Sequence, residues 1–505
     1  LESLTMNESE FTLTEDVFIH LENLNELHFV SIEIPDECSN LFAPLKSLQK
    51  LEMGGTESLN KNALNQVKNL RQLKLKIFST ILIDENFFDQ HPNLEHLDLS
   101  YLIAADENFK IKREYCIDLK ALATLKSLKS LNLSNNNLNI DQKDSEAIFS
   151  LENLEHLDLS LFNRDDFMQR ELKLNETSFE RMANLKHLNL KGNQIKLEGN
   201  CFKHLTQLKH LDLSNTILRS DKNEDFDILS NLKQLERLEF TRIETNDWIQ
   251  VHTLAELVNL KQLSLNLTAH DLDKFREMLR SKRRQTEDFE LPNPDPTYDD
   301  LCYFILRDMT KLTRLDMSYC NLTYINKQVI SQMKDLTHLV VYKNNIRHIP
   351  DDTFDCSTNL EEINIKENLF RQLKLNRLFL KCDKLRKVSF NATVADLMDE
   401  QFNFKSIVEI KFDDSQNLAK FYRSRRAFLQ QTQRQLAVKL SALDSEMKSI
   451  ELMFQRIDFK LNEIKSEKEN LIEQQVKPFV VDQIKLDPIE DKLNQVRQEM
   501  INKLK

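Results

Sequence analysis

Residues 183–218, with the sequence ANLKHLNLKGNQIKLEGNCFKHLTQLKHLDLSNTIL, contain one pattern twice. In the first copy Leu188 and Leu190 flank one polar residue and Asn193 follows, and the same spacing returns at Leu211, 23 residues later. Alternating leucines predict a strand with one buried face, because successive side chains of a strand point to opposite faces. The asparagine is predicted to lie in the following turn, where its amide pairs with backbone groups.

The full spacing, L-x-x-L-x-L-x-x-N-x-L, is the signature of leucine-rich repeats. One repeat cannot bury its leucines alone, whereas a stack of repeats can. The recurrences predict about sixteen parallel strands in an α/β solenoid, a horseshoe whose sheet forms the concave face, with phenylalanines filling the convex side. The repeats begin at Leu1, Leu24, Leu48, Leu70, Leu94, Leu128, Leu154, Leu185, Leu208, Leu235, Leu260, Leu312, Leu336, Leu360, Leu385 and Ile407, and the phenylalanines are Phe18, Phe88, Phe149, Phe179, Phe202 and Phe354.

The change of spacing along the chain predicts four segments. The solenoid covers residues 1–412, and an insertion lies where the gap between Leu260 and Leu312 widens to 52 residues. Three prolines disfavour helix and central strand there, so residues 280–300 are predicted to form an exposed loop. Residues 413–476 are predicted to be a coiled-coil helix, 477–488 a turn or linker, and 489–505 a short C-terminal helix. Because a solenoid needs a cap, we also expect residues upstream of Leu1.

Heptad spacing after residue 412 predicts the coiled coil. A second chain would cover the apolar stripe, either as a homodimer or as a heterodimer with a related repeat protein. Polar Gln433 and Lys468 within the stripe would favour one register. The predicted seam consists of Leu429, Leu436, Leu440, Leu443, Met447, Ile450, Phe454, Ile457, Leu461, Ile464 and Leu471.

Polar residues that alternate with the strand leucines are predicted to form a protein-binding surface on the concave face. Histidine recurs in one slot of this surface, at His96, His156, His187, His210 and His338. Such a row could sense pH or bind a metal, but no cluster with ligand spacing accompanies it, so a solvated polar position is favoured. The predicted binding residues are His156, Asp158, His187, Asn189, Lys191, His210, Asp212, Arg237, Glu239 and Gln262.

Composition and missing motifs exclude several functions. The net charge of −12 argues against broad nucleic-acid binding, which needs a basic face. With 4 glycines the chain contains no phosphate-cradling loop motif. It also lacks H-E-x-x-H, C-x-x-C and G-x-S-x-G, and no apolar run approaches the roughly 18 residues of a membrane span. We therefore predict no enzyme activity, no catalytic site, no cofactor, no metal, no nucleic-acid partner and no membrane span.

Short motifs bear on secretion. Cys356 and Cys382 hold similar places in adjacent repeats and could form a disulfide in an oxidising compartment. Residues 280–283 and 423–426 match R-x-[KR]-R, which secretory convertases read. For the first, at a predicted loop tip, a solvated basic helix end is an equally good interpretation; for the second, which leads into the coiled coil, it is the favoured one. Repeats ending in L-S or L-T generate N-x-[ST] sequons by chance, as at Asn132 on a concave strand. The candidate glycosylation sites are Asn7, Asn175, Asn266, Asn321 and Asn391.

Residues 1–412 resemble the repeats of animal extracellular proteins such as Toll-like receptor ectodomains. A solenoid followed by a coiled coil is similar to the secreted leucine-rich-repeat immune proteins of mosquitoes. That family carries a cysteine cluster before its coiled coil, whereas residues 383–505 contain no cysteine. The resemblance implies a secreted, non-enzymatic recognition or scaffold protein of innate immunity. The alternative is a cytoplasmic repeat scaffold without an immune role.

Overall fold

A computed structural model describes most of the chain as two compact units, Leu1–Asp414 and Ser415–Lys505. The described residues are 1–7, 13–32, 34, 37–56, 59, 61–77, 83–102, 117–136, 138, 145–161, 171–220, 228–245, 251–285, 297–370, 378–390, 409–411, 415–473, 492 and 495.

The first unit is built on one parallel sheet of 16 strands, in which each repeat adds a strand beside the previous one. This confirms the predicted solenoid. With strands numbered in chain order over both sheets of the unit, the main sheet consists of β1 (Ser3–Met6), β2 (Glu26–Val30), β3 (Lys50–Thr56), β4 (Gln72–Ile77), β5 (His96–Asp98), β6 (Ser130–Asn132), β7 (His156–Asp158), β9 (His187–Asn189), β11 (His210–Asp212), β13 (Arg237–Phe240), β15 (Gln262–Leu265), β16 (Arg314–Asp316), β17 (His338–Val340), β18 (Glu362–Asn364), β19 (Lys387–Ser389) and β20 (Glu409–Lys411).

Where a repeat carries an asparagine in the slot after its strand, the side chain closes the turn, as predicted. Asn193 Nδ2 donates to the carbonyls of Leu159 at 2.9 Å and Leu190 at 2.8 Å, so one side chain joins two repeats. Asn136 and Asn344 make equivalent bonds. Where Cys320 occupies the slot, its buried thiol donates to the Leu265 carbonyl instead. The turns therefore pair buried backbone groups that the strands leave open.

Apolar packing and a second sheet complete the solenoid. The rings of Phe179 lie 5.1 Å from Phe149 and 5.8 Å from Phe202, and all three side chains are buried. A second parallel sheet of 4 strands, which the sequence reasoning did not predict, follows main-sheet strands in consecutive repeats. Its strands are β8 (Glu171–Asn175), β10 (Gln194–Glu198), β12 (Ile217–Ser220) and β14 (Glu244–Thr245).

Short helices connect several strands. They are the α-helices α1 (Lys61–Leu64), α2 (Ser145–Phe149), α3 (Ala269–Gln285), α4 (Tyr298–Leu306) and α5 (Lys327–Gln332), and the 3-10 helices Leu119–Thr124 and Val251–Glu256.

The two ends of the insertion are helical, which corrects the predicted loop at 280–285 and 298–300, whereas residues 286–296 lie outside the described residues. Helix α3 continues to Gln285, and α4 begins at Tyr298 behind a capping box formed by Thr297 and Asp300. Helix α3 buries Leu272, Phe275 and Leu279, and Phe275 packs 5.3 Å from Phe304 of α4. The basic motif at 280–283 thus lies in a helix rather than at a loop tip. The prolines at 292, 294 and 296 lie outside the described residues.

The second unit contains the long helix Ser415–Glu473. Among the predicted seam residues, Leu440 is 60% exposed, Leu443 47%, Met447 44%, Ile457 39% and Ile464 43%, whereas Leu461 is buried. Ile450 and Phe454 are half-buried. The side chains of Leu429, Leu436 and Leu471 lie outside the described residues, as do those of Gln433 and Lys468. Coiled-coil pairing stays a prediction.

The helices can also be compared with the thickness of a bilayer. Across the part of the chain that the structure describes, none combines the length and the apolar character that a membrane span requires.

Candidate protein-binding site

The exposed face of strands β6, β7, β9, β11 and β13 forms a cavity of about 380 Å³, which we call the central cleft. Its walls are polar residues in strict register, because His156, His187, His210 and Arg237 pair along neighbouring strands. The leucines between the polar residues point to the other face and are buried. Of the ten predicted binding residues, the cleft brings together His156, Asp158, His187, Asn189, His210, Asp212, Arg237 and Glu239. Lys191 and Gln262 are half-buried and are not among the lining residues.

Three imidazoles, His156, His187 and His210, lie in contact and form what we call the histidine cluster. The rings of His156 and His187 stack with centroids 4.2 Å apart, and His210 meets His187 edge-on at 4.1 Å. Burial is the main cause that lowers the pKa of all three, to about 4 for His187, and neighbouring positive charge adds to it. At neutral pH the cluster is therefore an uncharged platform of flat rings.

Carboxylates line the cleft beside the histidine cluster, and we call Asp158, Asp212 and Glu239 the acidic row. Asp158 accepts a hydrogen bond from Asn189 Nδ2 at 3.0 Å and another from the Ser160 amide. Glu239 pairs with Arg237 at 3.0 Å. Asp212 accepts from the Ser214 amide at 2.8 Å, and burial raises its pKa. Among the described residues, only Glu239, at one end of the acidic row, is thus paired with a positive charge.

The two remaining predicted histidines stand apart from the cluster. Ser130 separates His96 from His156 in the register. His338 lies on β17 beside Arg314 of β16, and its Nε2 is 3.9 Å from a Glu362 oxygen. No group of three or more metal-binding side chains was found among the residues described above. The predicted row of five histidines therefore becomes one cluster of three in the structure.

A wider groove of about 970 Å³ runs along the edge where the strands begin. Its charged residues form a ladder of ion pairs between neighbouring repeats. Glu95 binds Lys129 at 2.6 Å and also Arg71, and Glu155 binds Lys186 at 2.6 Å. These hydrogen bonds lower the pKa of Glu95. Because its charges already pair with one another, the groove is a weaker candidate site than the central cleft.

One buried titratable residue, His91, was not predicted from the sequence. His91 is fully buried in a slot that other repeats fill with Met182 or Leu205. Burial lowers the pKa of His91 to about 4. The signal was present in the sequence, since His91 stands three residues before Leu94, where most repeats have an apolar side chain.

The predicted disulfide is not formed. Cys356 and Cys382 are free thiols, and the buried Cys382 Sγ contacts the Phe354 carbonyl at 3.7 Å. Cys356 is exposed. Similar places in adjacent repeats did not bring the two sulfur atoms together.

The candidate glycosylation sites differ in access. Asn7 and Asn321 are exposed, and Asn321 has a left-handed backbone with φ of 55°. Asn175 is half-buried and its Oδ1 accepts from the Thr177 amide. Asn266 Nδ2 donates to the Ser318 carbonyl at 2.9 Å, so a glycan there would compete with this contact. Asn391 lies outside the described residues.

Comparisons with known proteins agree with the repeat geometry. A leucine-rich-repeat family model matches residues 170–218 and 310–370, and a model of the BspA-type leucine-rich-repeat region matches residues 1–110. No curated protein has a significantly similar sequence.

Several solved structures align with the chain at low identity. A leucine-rich-repeat protein of Leptospira interrogans is 18% identical, with 80% of this chain and 88% of that chain covered and a TM-score of 0.49. Toll in the Toll–Spatzle complex of Drosophila is 14% identical, with coverage of 81% and 55% and a TM-score of 0.48. An internalin of Listeria monocytogenes is also 14% identical, with coverage of 81% and 86% and a TM-score of 0.40. The chain spans about half the length of the Toll chain that it matches.

The assignment rests on the matched repeats and on the sheet, not on these alignments. The family models cover both the start and the middle of the solenoid, and the strands between them keep the same register. Residues 1–110, 170–218 and 310–370 of this chain therefore consist of leucine-rich repeats.

Proposed function

We propose that this chain is a non-enzymatic recognition protein that binds a protein partner in the central cleft. The observation that carries the proposal is the cleft itself, where eight of the ten predicted residues meet on four successive strands. Leucine-rich repeats typically serve protein–protein recognition, and rigid strands hold side chains in fixed geometry better than loops do. The fold alone names no ligand, so the proposal rests on these side chains.

The test is partner capture with matched variants of the full chain. The cleft variant reverses one ion pair, Arg237→Glu with Glu239→Lys. The control variant reverses another exposed ion pair, Lys233→Glu with Glu256→Lys. This pair connects two neighbouring repeats and does not line the cleft. We expect that a partner cross-linked to the wild-type protein in its native fluid is also recovered with the control variant but not with the cleft variant. The melting temperatures of both variants should stay close to that of the wild-type protein. Equal recovery with both variants would refute the proposal.

We further propose that the long helix assembles the protein by pairing with a second chain. The exposed seam residues support this, because an apolar stripe left in water costs about 25 cal/mol per Å². The predicted C-terminal helix of about sixteen residues is too short to cover a helix of about sixty, which at 1.5 Å per residue spans roughly 90 Å. Sedimentation of the wild-type chain as a monomer at micromolar concentration, with no partner recovered, would count against assembly.

We propose a secreted protein acting in innate immunity, with a cytoplasmic scaffold as the alternative. The supporting observation is the exposed sequon at Asn321, which leaves room for a glycan. Mass spectrometry of the natural protein tests this directly. A glycan on Asn321 with none on the engaged Asn266 is the expected pattern for a secreted chain. Unmodified asparagines at all the sequons would favour the cytoplasmic alternative.

A further inference from the structure

The central cleft has an unneutralised carboxylate at its middle. Among the described residues, Asp212 takes part in no ion pair, and its hydrogen-bond donors are the amide and the hydroxyl of Ser214. Asp212 is half-buried in the lining of the cleft and lies between Asn189 and Glu239 in the register. Carboxylates outnumber the single guanidinium of the lining, which is already paired with Glu239. The cleft therefore has room for one further positive charge.

The histidine cluster adds a second requirement on the shape of the ligand. His156 and His187 cover each other's faces, whereas His210 meets His187 edge-on and keeps a face of its flat, uncharged ring clear of the other two, on the strand that also carries Asp212. A guanidinium is planar, stacks on flat ring faces and binds carboxylates through two parallel hydrogen bonds. An ammonium satisfies the charge but cannot use the rings in the same way. The two features together fit arginine better than lysine.

We propose that the central cleft binds an arginine side chain of the protein partner, with its guanidinium on the histidine cluster and against the acidic row, and that acidification releases it. The inference rests on the proposed function and adds the chemistry of the partner and its regulation.

Acid acts on both sides of the bound guanidinium. Protonation places positive charges on rings whose centroids are only 4.1 to 4.2 Å apart, directly beneath the ligand. The raised pKa of Asp212 means that this carboxylate also loses its charge early as the pH falls. Both changes weaken the attraction for a cation. Charged and titratable groups surround the cluster. Glu155, Lys186, Lys209, Glu236 and Lys129 precede the strands, and His96, Asp158, Asp212, Glu239, Arg237 and Lys191 lie on the strands or directly after them.

The experiment uses the full chain and capped tetrapeptides, Gly-Arg-Arg-Gly and its lysine and glutamate counterparts. Binding is followed by calorimetry and by the ring signals of ¹³C-labelled histidines in NMR. At about pH 7.5 we expect the arginine peptide to shift the signals of the histidine cluster, the lysine peptide to bind more weakly, and the glutamate peptide not to bind. At about pH 4, close to the pKa of His187, the dissociation constant of the arginine peptide should rise about threefold or more.

Two variants identify the groups responsible. Asp212→Asn should raise the dissociation constant of the arginine peptide at neutral pH. His187→Phe keeps a flat ring without a proton to gain, so the ratio of the dissociation constants at the two pH values should shrink. The matched control is His338→Phe, in the same slot of β17 but without a neighbouring histidine, and it should leave that ratio unchanged. Melting temperatures establish that each variant is folded.

Three results would overturn the inference: no movement of the cluster signals with the arginine peptide, equal affinity for the lysine peptide, or an affinity independent of pH. Because peptides replace the partner, such a failure leaves the capture experiment standing. Loss of capture in the Arg237 and Glu239 reversal would then still support protein recognition in the cleft.

Discussion

Replacing His91 by leucine should make the protein more stable, and the gain should grow as the pH falls. The imidazole of His91 is 0% exposed, and neither ring nitrogen has a hydrogen-bond partner of good geometry among the described residues. The Val67 backbone offsets only part of the burial. Leaving a buried polar group without a partner costs about 1–3 kcal/mol, and leucine in this slot carries no such group. We expect the free energy of unfolding to rise by about that amount at neutral pH.

The pH dependence follows from linkage. The pKa of His91 falls from 6.5 to about 4 on folding, so between these values the unfolded chain binds the proton and the folded chain does not. The titration of His91 therefore leaves the free energy of unfolding unchanged above about pH 6.5 and lowers it as the pH falls toward about 4. The difference between these two pKa values corresponds to about 3 kcal/mol at the lower end of the pH range. His91→Leu removes this loss, so its advantage over wild type should widen by up to about 3 kcal/mol.

Urea unfolding of both chains at several pH values between about 7.5 and 4 measures the difference, with hydrogen exchange at Phe88 and Leu94 as a local readout. The control is His204→Leu, because His204 is half-buried and lies outside the hydrophobic core; we expect a change within about 0.5 kcal/mol. A His91→Leu chain with the stability and the pH slope of wild type would show that the imidazole has a buried partner, and would refute the reasoning.

Three other predictions concern separate parts of the molecule. Gly192→Ala should lower the free energy of unfolding by roughly 2 kcal/mol or more, because φ is +75° and a Cβ would lie 2.1 Å from the Leu161 carbonyl oxygen. Asn215→Ala, in the same left-handed slot of the next repeat, should lower the free energy of unfolding by less in the same urea assay. Replacing Leu443, Ile450 and Ile457 together by aspartate should convert an assembled protein to monomers in sedimentation while the circular dichroism of the solenoid persists, since repeats contact only their neighbours; unchanged assembly would place the contact elsewhere. A thiol reagent added to the native protein should label Cys356 rapidly and Cys382 slowly, because Cys356 is exposed whereas burial raises the pKa of Cys382 to about 12; protection of Cys356 that a reductant reverses would restore the disulfide.

The repeated spacing made the main sheet predictable, because burial on one face fixes the register of every strand. Leu188 and Leu211 had to face the core, and His187 and His210 therefore had to lie side by side on the other face. The same logic could have found the second sheet. Residues 171–175 and 194–198 read ELKLN and QIKLE, which alternate as strands do.

Contacts that depend on side-chain distance could not be read from the spacing. The row of five histidines looked uniform in sequence, yet three rings touch and two do not, because neighbours in the register decide contact. Likewise, Cys356 and Cys382 share similar places in their repeats but not the close approach that a disulfide needs. The helices of the insertion were missed in part because the capping box of Thr297 and Asp300 follows directly after a proline-rich stretch.

The second sheet has a mechanical consequence for recognition. Strands β8, β10, β12 and β14 follow β7, β9, β11 and β13, so the repeats that carry most of the central cleft are joined by two ladders of hydrogen bonds. Repeats joined by one ladder can separate more easily away from that ladder, whereas these four repeats are held together by a second ladder as well. The spacing between neighbouring strands should vary least where the histidine cluster lies. A ligand would meet walls already held at their bound separation, and little ordering entropy would be lost on binding.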